Sequence, residues 1–392
     1  MVQIRNLTER EREQSLSLGE FAFQFELSPE DRAKRLAAMK PHQIWGAFVG
    51  GELAAMCTIL DLETWVHGVP FPMGGVAGVA TWPEHRRQGL VAKLLAHGLK
   101  TMRANGQTVS FLAPFSFAFY RKYGWETYVE YKSYELKREQ LPAVPPAPGR
   151  IRRVEQDSAA LRAVYDAYAR RFTGTLVRSE EWWSSRAFRS RKGQIAVYEN
   201  ERGEPRGYAF YRVKDRTLDV HEWAALDEEA RLALWGLFRN HDSMIDTLKL
   251  DAPIDDALSF RLPDPRIKQE IVPYFMARIV DAAAFVAAYP FAATGAAAAV
   301  TLRVRDEHAP WNDGAFTLAV DGDGRGALAP ASDGAASDGA ISCGIGALAA
   351  MLMGYKRPAF VREAGLLDGS DEAVETLERL LPRRATYLMD FF

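Results

Sequence analysis

Cysteine is scarce in this chain: Cys57 and Cys343 stand alone among 392 residues. Two thiols cannot build the disulfide framework of a small secreted scaffold. No secretory signal pattern is visible over Met1–Arg10, so a reducing, cytoplasmic setting is expected. Charge of one sign is also lacking. Lys and Arg number 49 against 51 Asp and Glu, a formal net charge of −2, which is not the basic footprint of a nucleic-acid binder. Long apolar runs are missing too. The nearest approach, Ala282 to Val300, is mostly alanine, which contributes little to membrane insertion. Pro290 and Gly295 interrupt it, and Arg278 and Arg303 lie close on either side, so no membrane span is expected.

What is present is the mixture of an ordinary globular protein, 48% hydrophobic and 26% charged. At roughly 100–200 residues per domain, the length suits two to four domains. The segment Leu141–Gly149, with Pro142, Pro145, Pro146 and Pro148, favours extended backbone and reads as a linker. A second break follows Asp281, where a short Ala-rich helix, Ala282–Ala288, ends at Tyr289-Pro290. In the first segment, strand-like runs at Ile44–Val49, Leu53–Leu60, Val76–Trp82 and Thr108–Leu112 alternate with helix-like ones. The helix Gly89–Asn105 carries Leu90, Leu94, Leu95, Leu99 and Met102 on one face. The middle segment repeats a similar order: helix Ala159–Arg171, strands Gln194–Glu199, Gly207–Val213 and Leu218–Ala224, helix Asp227–Asn240, strand Thr247–Leu250. The last segment opens with strand Ala298–Arg305. It then has a Gly/Asp/Ala-rich loop, Asp321–Ala340, containing the duplication Ala331–Ala335 and Ala336–Ala340, read as mobile and without chemistry. Helices Ile345–Met353 and Asp371–Leu381 follow.

The informative stretch runs from Gly75 to Leu95. A strand ends at Trp82-Pro83, a short turn Glu84–Gln88 leads to Gly89, and an amphipathic helix begins. Such an order aims unpaired backbone N–H groups and the positive end of a helix dipole at one point, an anion site suited to a pyrophosphate. Gly89 lets the backbone approach a phosphate closely, and Arg86 and Arg87 add charge. The competing account is a plain strand–turn–helix connection with solvated arginines. The preceding strand, the turn, the helix and the following strand, all in order, favour the anion site.

These residues resemble a known family. Val79-Ala-Thr-x-Pro-x-His-Arg-Arg-x-Gly-Leu looks like motif A of the GNAT acetyltransferases. Phe115-Ser-Phe-Ala-Phe-Tyr-Arg-Lys-Tyr-Gly-Trp-Glu126 resembles their motif B in the form used by the Eis (enhanced intracellular survival) N-acetyltransferases. Ala309–Phe316, Gly344–Tyr355 and the ending Asp390-Phe-Phe392 extend the Eis resemblance over the whole chain. The resemblance implies an α/β (α+β) protein of three domains. These are a catalytic GNAT domain at 1–144, a degenerate GNAT-like domain at 145–284, and a sterol-carrier-protein-like domain at 285–392 with a catalytic C-terminus. It implies acetyl-CoA as cosubstrate, no metal, and a homo-oligomer, a hexamer in the family. It also implies roles: Val79, Ala80 and Thr81 along the pantetheine; Arg87, Gln88, Gly89, Leu90, Val91 and Ala92, with Arg86 beside them, around the pyrophosphate; Phe115 and Ser116 on the cofactor's far arm; Tyr120 as general acid. Val91 departs from the small residue that many of these loops carry two positions after the glycine.

Acetyl transfer to an amine needs a neutral amine, and a free alkylamine has a pKa of about 10, so at neutral pH a base must take its proton. The carbonyl needs preorganised donors. The departing thiolate needs a proton from an acid of similar pKa, and a tyrosine hydroxyl at about 10 suits it. Tyr120 follows the strand ending at Leu112, within the cluster Phe115, Phe117, Phe119, Tyr123 and Trp125; Tyr123 is its competitor. Near the phosphate turn, His85 has the look of a shaping residue, and Glu63 and His67 are loop candidates for the base. The resemblance implies another answer, the α-carboxylate of Phe392 acting as proton acceptor in the first domain. The apolar ending Tyr387–Phe392 favours docking, since each buried side chain contributes about 1.5–3 kcal/mol.

The middle segment has no equivalent phosphate loop. Arg202-Gly203 and Arg206-Gly207 read as a hairpin turn, and Asp227-Glu-Glu before the next helix would repel a pyrophosphate. The reaction the resemblance implies is direct transfer, through a ternary complex, from acetyl-CoA to a primary amine of a polycationic acceptor: an aminoglycoside, a polyamine or a lysine side chain. Glu26, in the early helical stretch Phe21–Leu27, and Asp390 are the candidate acceptor-binding carboxylates. Two alternatives stay open. One is a non-catalytic lipid- or sterol-binding protein working through the third segment. The other is a FemX-like aminoacyltransferase, which would lack the intact pyrophosphate turn.

Overall fold

A computed structural model describes residues 2–156, 158–331 and 340–392. Three sheets organise it. In the first, the order is Val2–Asn6, Ile44–Val49, Glu52–Val66, Val69–Thr81, Val109–Leu112, Met276–Ile279, Glu126–Thr127. In the second it is Lys268–Pro273, Glu130–Lys137, Thr247–Pro253, Thr217–Ala225, Pro205–Lys214, Gln194–Glu199, Arg150–Arg153. The third holds Gly326–Pro330, Gly314–Val320, Ala298–Arg305, Ile341–Gly344 and Leu367–Asp368. Among the described residues, no helix is long and apolar enough to cross a membrane.

The helix of Leu90–Ala104 forms because its apolar residues recur at helical spacing, and Leu90, Leu94, Leu95, Leu99 and Met102 are all buried. The Pro-rich stretch carries no regular structure over 142–147, as its prolines require. The boundary it suggests is not a clean cut, however. Glu130–Lys137 lies inside the second sheet, between Lys268–Pro273 and Thr247–Pro253. Met276–Ile279 lies inside the first, antiparallel to Val109–Leu112. The two units exchange strands, so 1–144 and 145–284 each complete the other's sheet. Position 284/285 falls within the helix Ala282–Ala288, which Asp281 caps through Ala284 N and which packs on the third sheet's Gly326–Pro330.

Further departures have local causes. The helix Arg12–Phe23 stops where Gln24 turns left-handed (φ 55°), and Ser28 caps a new helix, Pro29–Ala38. Glu26 therefore lies in an exposed loop, not in a helix. Glu63 is in a strand, because Glu52–Val66 and Val69–Thr81 are both longer than their apolar runs suggest. Gly203 sits in the hairpin turn, but Arg206 is already in the strand Pro205–Lys214 and pairs with Asp227. Within Asp321–Ala340, Gly326–Pro330 is a strand that pairs with Gly314–Val320. The Ala-Ser-Asp-Gly duplication lies, except for Ala331 and Ala340, outside the described residues.

One apolar core joins all three units. Trp65, Phe71 and Phe111 of the first, Tyr165, Trp183 and Phe210 of the second, and Val300, Ile345 and Leu377 of the third belong to it, together with Leu388 and Phe392 of the tail.

Candidate active site

Val69–Thr81 and Val109–Leu112 run parallel for four pairs, from Met73–Val109 to Val76–Leu112, and then part. Val109–Leu112 ends there, while the other strand continues to Thr81 along its opposite neighbour, Glu52–Val66. On that side the register slips: Ala77 faces Thr58 and Ala80 faces Met56. The extra residue is a bulge that bends and re-aims the backbone. Gly78 makes it possible, with φ +58° and Thr58 Oγ1 3.3 Å from where a Cβ would stand. The result is a fork. Beyond the last parallel pair, residues 77–81 form one arm, and the Thr81 hydroxyl is buried there with no hydrogen-bond partner.

The fork opens toward a helix start. Pro83–His85 form one 3-10 turn, Arg87 takes φ +62° and Gly89 φ +73°, and Leu90–Ala104 begins. Gly89 offers no side-chain cap, and nothing stands within 4 Å of its missing Cβ. No acidic residue occupies the first turn. Arg86, Arg87, Gln88 and Gly89 are exposed and Val91 and Ala92 half-buried; Gln88 donates to the Glu84 carbonyl at 3.1 Å. Uncapped N–H groups, a positive dipole end and two arginines are the features that attract an anion.

Tyr120 lies at the crotch of the fork. It belongs to an apolar cluster with Val76 and Leu112, the last parallel pair, and with Leu95 and Leu99, while Val79 and Val91 pack against that cluster. The helix that carries it, Phe117–Arg121, is capped by Ser116 Oγ, which accepts from Phe119 N at 3.3 Å. Burial, reinforced by Cys57, pushes the Tyr120 hydroxyl above its ordinary pKa, so it is protonated at neutral pH. Cys57 itself is pushed up to about 12 by burial. Phe115 is 71% exposed and stands edge-on to Tyr120 at 5.3 Å. Tyr123 is a packing residue, with its ring against Phe119 and His308 and its carbonyl accepting from Arg278.

The C-terminal tail arrives from the other side. A Cβ on Gly75 would stand 2.9 Å from the Phe392 ring, whereas one on Gly74 would meet Met102. Side chains alternate across a strand, so Phe392 lies on the face of the sheet opposite Tyr120 and the helix Leu90–Ala104. Its ring also packs on Phe275 at 4.9 Å and Trp182 at 6.0 Å. Tyr120 and Phe392 thus approach one fork from its two faces.

The remaining candidates separate. His67 is at the far hairpin turn, buried, with Nε2 3.0 Å from the Leu352 carbonyl and Nδ1 3.2 Å from Thr173 Oγ1. Burial, against the Leu352 bond, lowers its pKa to about 4; both nitrogens are committed, and it is no base for this fork. Asp390 is not an open carboxylate either: it is 2% exposed and bonded to Arg178 and Trp182. His85 lies half-buried in the turn, and Glu63 points to solvent. Glu26 follows the helix Arg12–Phe23, which packs on the fork strand and sets Phe21 against Trp82 at 5.0 Å. The sequence reading missed Gly75, Arg178 and Glu222. Two adjacent glycines within a strand signal a close approach and could have flagged Gly75; Arg178 and Glu222 have no local signal.

The second unit repeats the topology without the site. Thr217–Ala225 and Thr247–Pro253 run parallel from Thr217–Thr247 to Val220–Leu250. The helix that follows, Glu228–Arg239, is capped by Asp227, which accepts from Ala230 N at 2.9 Å, and Glu228 and Glu229 fill its first turn. An anion is repelled there.

Three stretches of the chain match known families. Residues 3–128 and 174–279 each match a model of an acetyltransferase (GNAT) domain, and 282–389 match one of a sterol carrier protein domain. An N-acetyltransferase of Streptomyces griseus is 28% identical over 320 residues, 71% of this chain and 73% of that one. N-acetyltransferase Eis of Mycobacterium tuberculosis is 27% identical over 236 residues, 57% of this chain and 58% of that protein. A probable N-acyltransferase from Enterococcus faecalis superposes with a TM-score of 0.92 at 26% identity, covering 100% of both chains. Eis1 from Mycobacterium abscessus shares the fold at TM-score 0.82 and 23% identity, again over 100% of both.

Proposed function

The chain is an Eis-like acyltransferase of the GNAT superfamily, and on that premise we propose that it transfers acetyl from acetyl-CoA to a primary amine by direct attack in a ternary complex. The observation that carries this reading is the fork, with an uncapped helix start at its mouth and Tyr120 at its crotch. Acetyl-CoA supplies the activated acetyl thioester. Val79, Ala80 and Thr81 would hold the pantetheine by backbone pairing, and their N–H groups would polarise the thioester carbonyl. Arg86 through Ala92 would hold the pyrophosphate, with Phe115 and Ser116 against the far arm. Tyr120, kept protonated by burial, would deliver its proton to the sulfur.

The base in this proposal is the α-carboxylate of Phe392. Its support is the seating of the Phe392 ring on Gly75, beside the last parallel pair and on the face away from Tyr120. Acid and base on opposite faces suit two substrates bound together, one from each side. Glu26 is proposed as an acceptor contact, on the loop after the helix that meets Trp82. The acceptor is a polycationic amine, an aminoglycoside, a polyamine or a lysine side chain. That class, and a hexameric assembly, rest on the family resemblance.

The test is thiol release from acetyl-CoA over a panel of amines, with pH–rate profiles for the protein ending at Phe392 and for one extended by a few residues after it. Extension turns that carboxylate into a neutral amide. The extended protein should bind CoA normally and acetylate far more slowly near neutral pH, with the gap closing as the amine deprotonates. Normal rates would remove the terminal base; no thiol release with any amine would favour the lipid-binding alternative.

A further inference from the structure

Beneath the tail lies a buried cluster of four charges. The Arg178 guanidinium lies against the rings of both Tyr165 and Trp183, 3.9 and 4.5 Å from their centroids. Its Nε donates to both oxygens of Asp390, at 3.1 and 3.0 Å, and its two Nη atoms donate to Glu222 at 2.9 and 2.5 Å. Arg191 reaches Glu222 at 2.6 Å and donates to the Met389 carbonyl at 2.5 Å. Trp182 Nε1 donates to Asp390 Oδ1 at 3.0 Å, and the Tyr274 hydroxyl donates to the Asp390 carbonyl, also at 3.0 Å. Burial raises the Glu222 carboxyl, but Arg178 and Arg191 outweigh it and hold the group below the ordinary carboxylate range.

Two cations and two anions balance here, yet such a cluster is a poor source of net stability, because desolvation offsets most of the attraction. Apolar packing would hold a tail as firmly but would let it slide; a guanidinium fork fixes one residue in direction as well as distance. Glu222 lies just past the second unit's last parallel pair, Val220–Leu250, at a register slip between Val220 and Glu222. That is the counterpart of the first unit's fork arm. Phe392 follows Asp390 by two residues, about 7 Å of chain, and Trp182 touches both.

We infer that Arg178, Glu222 and Arg191 are positioning residues for the transfer reaction: the second GNAT unit, without a phosphate turn, clamps Asp390 so that the last residues of the tail stand at the first unit's fork. The inference rests on the proposed catalytic role of the tail. It makes Asp390 an anchor and not an amine contact. The ionisable groups facing Asp390 are Arg178, Arg191, Glu222, Tyr165 and Tyr274, with Tyr128 close by.

Asp390→Asn keeps the shape and removes the charge; Tyr274→Phe removes one hydrogen bond and leaves the charges intact. Hydrogen exchange over 385–392 reads the docking of the tail, and steady-state kinetics across neutral to alkaline pH read its consequence. In Asp390→Asn, exchange should accelerate roughly tenfold or more. The kcat near neutral pH should fall by about tenfold or more and recover as the amine deprotonates. CoA affinity and amine KM should stay within about twofold. Tyr274→Phe should move the same way by less. Unchanged exchange in folded protein of both variants overturns the anchor. An amine KM that rises while kcat holds makes Asp390 an acceptor contact instead. A loosened tail with full rate, beside a fully active extended chain, is the failure of the terminal base itself.

Discussion

The first and second GNAT units share a strand order and part company at two positions. Each has a parallel strand pair that separates after four residues and a helix that starts soon after. In the first, the helix begins at Gly89, left-handed and bare. In the second, Asp227 occupies the same N–H groups with its own side chain, and Glu228 and Glu229 follow. On the fork arm, the first unit has Val79, Ala80 and Thr81, and the second has Glu222 bonded to Arg178. Topology alone does not make an acyl-CoA site. The first unit leaves its helix start without a side-chain cap, the second caps the matching start with Asp227, and on the matching strand arm the second carries a carboxylate, Glu222, bonded to Arg178.

The comparison breaks most visibly at Gly89. Gly89→Glu puts an acidic side chain at the bare helix start and should bring CoA binding below detection in calorimetric titration, with the fold intact by circular dichroism. The unmodified protein should bind one CoA per chain; a stoichiometry of two would mean that the second unit kept its site. Next in size is Tyr120→Phe, which should lower kcat by roughly 10²–10⁴-fold while CoA affinity holds. Tyr123→Phe, whose ring only packs, should stay near wild type in the same assay.

Acid should be felt at the hairpin where the first unit meets the others. His67 is held at about 4 in the folded protein by burial, against about 6.5 unfolded. The unfolded chain thus takes up the proton first, so stability is full above about pH 6.5 and is lost as pH falls toward 4, by on the order of 3 kcal/mol. Denaturant titrations at pH 7 and pH 4.5 should show that loss, and His67→Asn should flatten this part of the slope; an unchanged slope would place the acid sensitivity elsewhere. Gly75→Val presses a side chain into the Phe392 ring and Leu62. It should cost about 1–3 kcal/mol of stability and slow turnover without weakening CoA, read by melting and by kcat. The smallest effect is expected at the second unit's cap. Asp227→Ala should cost about 1 kcal/mol and leave CoA affinity and stoichiometry unchanged, so any gain of anion binding there would narrow the contrast.

Local pattern decided much of this protein. The spacing of Leu90, Leu94, Leu95, Leu99 and Met102 sets a buried helical face, Gly89 marks its start, and the uncapped N–H groups with Arg86 and Arg87 beside them come from neighbouring residues alone. Pro142 to Pro148 end the first run of structure, and Asp227-Glu-Glu mark the second helix start as closed. Those features act within one turn or one strand, where chain connectivity already fixes who meets whom. The tertiary structure decided the rest. Met276–Ile279 completes the first sheet from far along the chain, and Glu130–Lys137 lies in the second, because the hydrogen-bond partners of a strand carry no address in its own sequence. His67 and Asp390 look like free ionisable side chains when read in line; folding commits them to Leu352 and Thr173, and to Arg178 and Trp182. The seat of Phe392 on Gly75 joins residues at opposite ends of the chain, and only packing, which depends on shape in three dimensions, brings a chain end to a fork.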